Sequence, residues 1–337
     1  MSLASLNLHV PDLEARILPG LEAVEETLQE STQGARDLVD EITRHLAVAG
    51  GKRIRPLLTL ICAQLGDPQR AVGEQVRIAA TVIELTHLAS LYHDDVMDSA
   101  PTRRGVPSAQ RQWGNNRAIL AGDVLFARAS RLVASLGPES VAYHALIFER
   151  LCVGQLNETF GPDPSEDPVD FYIQVLADKT GSLLASAAYF GAWHAGASAE
   201  IADVVGTFGE KIGVAFQIAD DVLDFASESV TSGKTPGTDL REGVDTLPVL
   251  LLRRRQAQGL LDENGARILD MLDGDLSSDE ALAAVLDALR CHTVVEEARD
   301  LARKWAADAV ETLAVLPEGE PKVALTSFAE LMVNRMA

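Results

Sequence analysis

The chain has 337 residues, 47% of them hydrophobic and 23% charged, enough to bury a sizeable core in one large domain or two. A formal net charge of -21 argues against nucleic acid as a partner and against docking on anionic lipid through a basic patch. The first residues lack a basic region followed by an apolar core, and no window reaches about 18 uninterrupted apolar residues, so neither a signal peptide nor a membrane span is expected.

Alanine and leucine dominate and no run of alternating β-branched residues occurs, so the reading is helical almost throughout. Residues 13–30 and 34–49 are amphipathic, and Gly50-Gly51 ends the second of these helices. Lys52-Arg53-Ile54-Arg55-Pro56 opens a helix reaching about Leu65, with Pro56 in its first turn. Residues 72–98 form one long apolar helix, Pro101 to Pro107 a loop, and Asn115–Leu136 and Ser140–Thr159 two further helices. After a loop at Gly161–Pro168, residues 169–196 and 198–226 are helical. Ser227 to Thr246 reads as a polar, glycine-bearing loop, and amphipathic helices continue from Leu247, with a break at Leu316–Pro321. No domain boundary is visible, so residues 1–337 are read as a single all-α domain. Cys62, Cys152 and Cys291 have no metal-ligand spacing and read as core thiols in a reducing cytoplasm.

The long helix ends in Leu91-Tyr92-His93-Asp94-Asp95-Val96-Met97-Asp98. Residues four apart share a helix face, so Asp94 and Asp98 project together and suit a hard cation, magnesium above all. Arg103 and Arg104 come next, and carboxylate-bound metal beside guanidinium groups makes a site for a diphosphate. Taken alone, an acidic cluster in an acidic protein is usually solvated surface. A second copy, Asp220-Asp221-Val222-Leu223-Asp224, changes the reading, because both copies are embedded in apolar sequence. Carboxylates among apolar neighbours imply burial at a cavity mouth, and burial implies cations. The expected architecture is a helical bundle with the two motifs facing each other across a central cavity.

The unusual polar groups are Lys52, Arg55, His87, Asp94, Asp95, Asp98, Arg103, Arg104, Lys179, Thr180, Gln217, Asp220, Asp221, Asp224 and Lys234. They could hold two diphosphates, one through metal ions and one through direct Lys and Arg contacts. In order and wording these stretches resemble the trans-isoprenyl diphosphate synthases, or polyprenyl synthetases, over roughly residues 35–255, with residues 256–337 as C-terminal helices. The resemblance rests on Gly50-Gly51-Lys52-Arg53-Ile54-Arg55-Pro56, both aspartate motifs, Arg103-Arg104-Gly105, Lys179-Thr180-Gly181, Gln217, Gly233-Lys234 and the stretch Gly237 to Pro248. Leu91–Asp98 and Gln112-Trp113-Gly114-Asn115-Asn116 look most like actinobacterial long-chain members.

That resemblance implies a prenyltransferase of the isoprenoid-synthase fold that condenses isopentenyl diphosphate with an allylic diphosphate. Lys52, Arg55, His87 and Arg104 would bind isopentenyl diphosphate. Asp94, Asp98 and Asp220 would hold three magnesium ions on the allylic diphosphate, with Arg103, Lys179, Thr180, Gln217 and Lys234 completing that site. It also implies a homodimer, with cytoplasmic residence and a loose membrane association left open. Many members carry lysine where this chain has Val244. Ala89 and Ser90 lie about one turn before Asp94, where short-chain members tend to carry an aromatic floor. Small residues there favour a longer product, roughly six to nine isoprene units, as in menaquinone side chains. The alternatives are a short-chain farnesyl or geranylgeranyl synthase, a terpene cyclase and a non-catalytic subunit. A cyclase has no use for Lys52, Arg55 and Arg104, and a silent subunit usually loses aspartates that are complete here.

Overall fold

The computed structural model describes residues 8–34, 37–226, 237–241 and 243–333, and of residues 224, 225, 226, 238 and 239 the backbone alone. In chain order the helices are α1 (Pro11–Thr32), α2 (Asp37–Val48), α3 (Ile54–Ala63), α4 (Pro68–Ala71) and α5 (Glu74–Met97). A hairpin of β1 (Thr102–Arg103) and β2 (Val106–Pro107) comes after α5. Then come α6 (Ala109–Trp113), α7 (Asn115–Ala134), α8 (Pro138–Phe160), α9 (Pro168–Leu176), a π-helical turn (Ala177–Gly181), α10 (Ser182–His194) and α11 (Ala199–Ala226). The remainder is α12 (Thr238–Arg241), α13 (Leu247–Ala257), α14 (Glu263–Leu272), α15 (Asp279–Arg290), α16 (Thr293–Thr312) and α17 (Glu320–Val333). The fold is all-α, as the composition implies.

The chain divides into two compact units. The first takes Met1–Arg150, Ser182–Glu210 and Thr312–Phe328, and the second takes the rest. The first aspartate motif belongs to the first unit and the second motif to the second.

In the first unit α5 is apolar all round, which buries a helix on every side. Val76, Ala79, Val82, Ile83, Leu85, Leu88, Ala89 and Tyr92 are all buried, and α1, α3, α7 and α10 pack against the helix. Two glycines allow close approach. A Cβ at Gly122 of α7 would lie 2.4 Å from the His93 ring, and one at Gly191 of α10 would lie 2.1 Å from the Thr59 carbonyl oxygen. Central α5 therefore carries its C-terminal aspartates on a rigid support.

The segment read as a loop at Pro101–Pro107 is a two-stranded antiparallel hairpin, with Thr102 opposite Pro107 and Arg103 opposite Val106. Its central residues, Arg104 and Gly105, have φ of 53° and 79°. Two positive φ values suit the twist of a tight hairpin, and Arg104 is the residue that spoils the sequence signal.

In the second unit α9 packs on α13, and α13, α14 and α15 pack in succession. Arg253, Arg254 and Arg255 of α13 are distributed among acids. Arg253 pairs with Asp245 and Asp273, Arg254 with Asp167 and Asp170, and Arg255 with Glu297. Partly exposed pairs of this kind add little stability each, but they fix where α13 sits within its unit.

Candidate active site

In the first unit the basic residues gather around one helix end. The last turn of α2 exposes carbonyls with no partner inside the helix. Arg104 donates from Nη1 to the Leu46 carbonyl at 2.8 Å and to the Gly50 carbonyl. Arg53 donates from Nη2 to the Ala47 carbonyl at 3.0 Å. Cations at a helix C-terminus also meet the negative end of its dipole. Both arginines have left-handed backbones, with φ of 49° at Arg53 and 53° at Arg104, a conformation that non-glycine residues keep only when their surroundings hold it. Gly51 lies directly beneath them: a Cβ there would meet Arg53 Nη1 at 3.0 Å and Arg104 Cζ at 3.1 Å.

Two carboxylates balance part of this charge. Glu84, 2% exposed on α5, accepts from Arg53 Nη1 at 3.0 Å, and Glu25 of α1 accepts from Arg53 Nε at 2.7 Å. Arg55 is held differently. Its Nε is buried without a hydrogen-bond partner. Burial pulls its pKa down to about 10, with Glu84 opposing and Arg104 assisting. It remains a cation at neutral pH. His87, on α5, is held well below the ordinary histidine range by burial and by Arg55, Arg104, Arg103 and Arg53, so its ring is neutral. Lys52 is exposed just ahead of α3. Lys52, Arg53, Arg55 and Arg104 against Glu25 and Glu84 leave a net positive cluster suited to a phosphate-bearing anion. Of these, Arg53, Glu25 and Glu84 escaped the sequence reading. Glu84 had only one signal, an acid set between apolar Ile83 and Leu85 in the middle of α5.

The first motif divides its labour. Asp95 is wholly buried and accepts from Arg103 Nε at 2.7 Å, while its Oδ2 has no hydrogen-bond partner. Burial raises the Asp95 pKa, and Arg103 opposes that rise. Asp94 is half-buried and Asp98, at the C-cap of α5, is exposed. These outer two share a face, as expected. Arg103 is therefore engaged with Asp95 through Nε.

In the second unit Lys179 and Thr180 sit on the π-helical turn, a wider turn often found at functional sites. Gly154 of α8 makes room for it, since a Cβ there would lie 2.9 Å from Asp178 Cβ and 3.2 Å from the Lys179 amide. Lys179 pairs with Glu158. A polar chain then runs to the second motif. Thr180 Oγ1 donates to Gln217 Oε1 at 3.2 Å, Gln217 Nε2 donates to Asp221 Oδ1 at 3.0 Å, and the Tyr172 hydroxyl donates to Asp221 Oδ2. Asp221 is thus the anchored aspartate, as Asp95 is in the first motif. Asp220 is half-buried on α11.

Among the described residues no three His, Cys, Asp or Glu side chains already converge as a metal cluster. The donors present are nonetheless hard carboxylate oxygens, and Asp94 and Asp98 share the outer face of the α5 end while the arginine-paired Asp95 faces inward. The residues fit a divalent cation of the magnesium class.

The remaining expected residues have varied surroundings. Ala89 is wholly buried, and its carbonyl oxygen lies 3.1 Å from where a Cβ on Gly122 would be. Ser90, 9% exposed, donates to the His87 carbonyl at 2.9 Å. Val244 is 46% exposed. Lys234 and the side chain of Asp224 lie outside the described residues. His144 and His194 are buried against Thr86 and Ser140, which accounts for both without a metal.

A family model described as polyprenyl synthetase matches residues 36–289. A nonaprenyl diphosphate synthase of Mycobacterium tuberculosis is 43% identical, covering 95% of this chain and 94% of that protein. A dimethylallyltranstransferase of the same organism is 36% identical, over 98% of each chain. Among solved structures, a geranylgeranyl pyrophosphate synthase of Corynebacterium glutamicum, complexed with calcium and isoprenyl diphosphate, is 43% identical with a TM-score of 0.84, covering 97% of this chain and 98% of that one.

Proposed function

Since the chain belongs to the polyprenyl synthetase family, we propose that it is a trans-prenyltransferase that joins isopentenyl diphosphate to an allylic diphosphate and makes a product of medium to long chain. The observation that carries this reading is the arginine cluster on the end of α2. It gives the first unit a direct, metal-independent diphosphate site in addition to its aspartate motif.

Lys52, Arg55 and Arg104 bind the diphosphate of isopentenyl diphosphate, with neutral His87 as a hydrogen-bond donor beside them. Arg53 is braced by Glu25 and Glu84 and holds the cluster in shape. Asp94 and Asp98 in the first unit, and Asp220 in the second, are the proposed ligands of magnesium, three ions per site. Magnesium, when bound, draws negative charge onto the leaving diphosphate. Arg103, Lys179, Thr180, Gln217 and Lys234 are the proposed direct contacts to the allylic diphosphate, and Val244 removes one cation that many relatives carry. The allylic C–O bond breaks with its electrons leaving on diphosphate. The double bond of isopentenyl diphosphate then forms the new C–C bond, and the adjacent proton departs to the released diphosphate. No protein nucleophile is required.

Ala89 and Ser90 are the proposed positions that leave room for a growing chain. The family model runs across both compact units, which supports reading residues 1–337 as one polyprenyl synthase domain. The proposed homodimer has support in a run of exposed apolar side chains on one helix: Val141, Leu146, Val153, Leu156 and Phe160 of α8. Light scattering on purified protein tests it, and a monomer at micromolar concentration would remove it. No helix among the described residues is long and apolar enough to cross a membrane. Of the three cysteines expected in the core, Cys62 is buried and Cys152 and Cys291 are exposed, and cytoplasmic residence is proposed on three free thiols with no metal-ligand spacing.

The activity is tested by incubating the protein with labelled isopentenyl diphosphate, an allylic primer and magnesium. Label passes into an extractable lipid, and a chelator abolishes the transfer. Label that stays in water with every primer would overturn the reading.

A further inference from the structure

Tyr92 stands two residues before Asp94 and is wholly buried on α5. Its hydroxyl does not stay with its own helix. It donates to the Ile42 carbonyl of α2 at 2.5 Å and accepts from the Leu46 amide at 3.3 Å. Ile42 and Leu46 are four apart, the spacing at which an amide and a carbonyl close one turn of an α-helix. The hydroxyl therefore bridges a carbonyl and an amide one helical turn apart on α2 and ties that turn to α5.

The chain just beyond that turn seats the arginines. Leu46 itself, then Ala47 and Gly50, supply the carbonyls that hold Arg104 and Arg53. Both arginines are in left-handed conformations that depend on such anchoring. Removing the hydroxyl frees the Leu46 amide and the turn around it from α5. The Leu46 carbonyl moves with it, and so does the guanidinium of Arg104. The aspartate helix is thus tied, through one phenol, to the seat of the opposite substrate's cations.

We infer that Tyr92 is a positioning residue for isopentenyl diphosphate: its hydroxyl, bonded to both Ile42 and Leu46, holds the end of α2 on which Arg104 and Arg53 are anchored. Tyr92 touches neither substrate, and it acts through α2. The inference rests on the assignment of that arginine cluster to isopentenyl diphosphate.

Tyr92→Phe keeps the ring and the packing and removes only the hydroxyl oxygen. Two measurements on the full-length protein separate the inference from the assignment beneath it. In steady-state kinetics the KM for isopentenyl diphosphate rises about fivefold, the factor expected for one net hydrogen bond, while the KM for the allylic primer and kcat change by less than about twofold. In magnesium-free titration with inorganic pyrophosphate, the variant binds about fivefold more weakly than wild type. A wild type that binds pyrophosphate but elongates nothing would sink the proposed activity, and a weakened variant in that titration would still uphold the role of Tyr92. An active wild type whose Tyr92→Phe variant keeps both constants would overturn the inference and leave the activity standing. Equal losses for both substrates with a fallen Tm would reduce Tyr92 to a core residue and overturn it too.

Discussion

Arg103 Nε lies 2.7 Å from Asp95 Oδ1, and this bond separates the middle aspartate of the first motif from its neighbours. Tyr172 and Gln217 do the same for Asp221 in the second motif. In each Asp-Asp-x-x-Asp run the second carboxylate is committed to protein. The first is left half-buried on its helix.

Substitutions should sort the motif accordingly. Asp94→Asn removes a proposed metal ligand, and kcat falls by about a thousandfold, the scale of losing a main electrostatic group. Asp95→Asn releases Arg103 without removing a ligand, and the loss is about ten- to a hundredfold. Magnesium titrations distinguish the two, because only Asp94→Asn raises the magnesium concentration needed for half-maximal rate. Equal magnesium dependence in the two variants would contradict the division.

Ala89→Tyr should shorten the product. The position is fully enclosed and its carbonyl lies close beneath Gly122, so the added ring costs about 1–3 kcal/mol through overpacking as well as blocking the path. Chromatography of dephosphorylated products reads the first effect and a thermal melt the second. A lower Tm with an unchanged product ladder would make Ala89 a helix-packing residue alone.

Stability should fall steeply in mild acid. His87, His144 and His194 all have depressed pKa values: burial lowers each, His194 to about 4, and nearby arginines add to the effect at His87. Above about pH 6.5 these rings are neutral in folded and unfolded chain alike, so they add no pH dependence. As pH falls from there, toward about 4 in the case of His194, the unfolded chain binds protons that the folded chain resists. Each histidine then costs up to about 1.4 kcal/mol of stability per pH unit. Denaturant melts at pH 7.5, 6 and 5 measure the slope. His144→Gln and His194→Gln should flatten it, and slopes identical to wild type would refute the assignment.

The helical fold was legible because periodicity and composition act locally, and the aspartate motifs because their spacing alone places Asp94 and Asp98 on one face. The contacts that shape the cation cluster were not. Glu25, Glu84 and the carbonyls of Leu46, Ala47 and Gly50 reach Arg53 and Arg104 only after α1, α2 and α5 have packed. Tyr92 reads in the sequence as one more apolar residue, and nothing local reveals that its hydroxyl reaches another helix. The hairpin was missed because an arginine occupies a left-handed position where glycine or asparagine is the usual signal. The π-helical turn at Lys179 was missed because the close approach that accommodates it, at Gly154, lies on a different helix.

Elongation to a medium or long chain is the central claim, and one incubation tests it most directly. Purified protein is given isopentenyl diphosphate, magnesium and farnesyl diphosphate, and the products are dephosphorylated and sized. The predicted result is a ladder that ends at about six isoprene units or more, since only small residues stand at positions 89 and 90. A product that stops after a single addition to the primer would contradict it, placing a floor elsewhere and making the chain a short-product synthase.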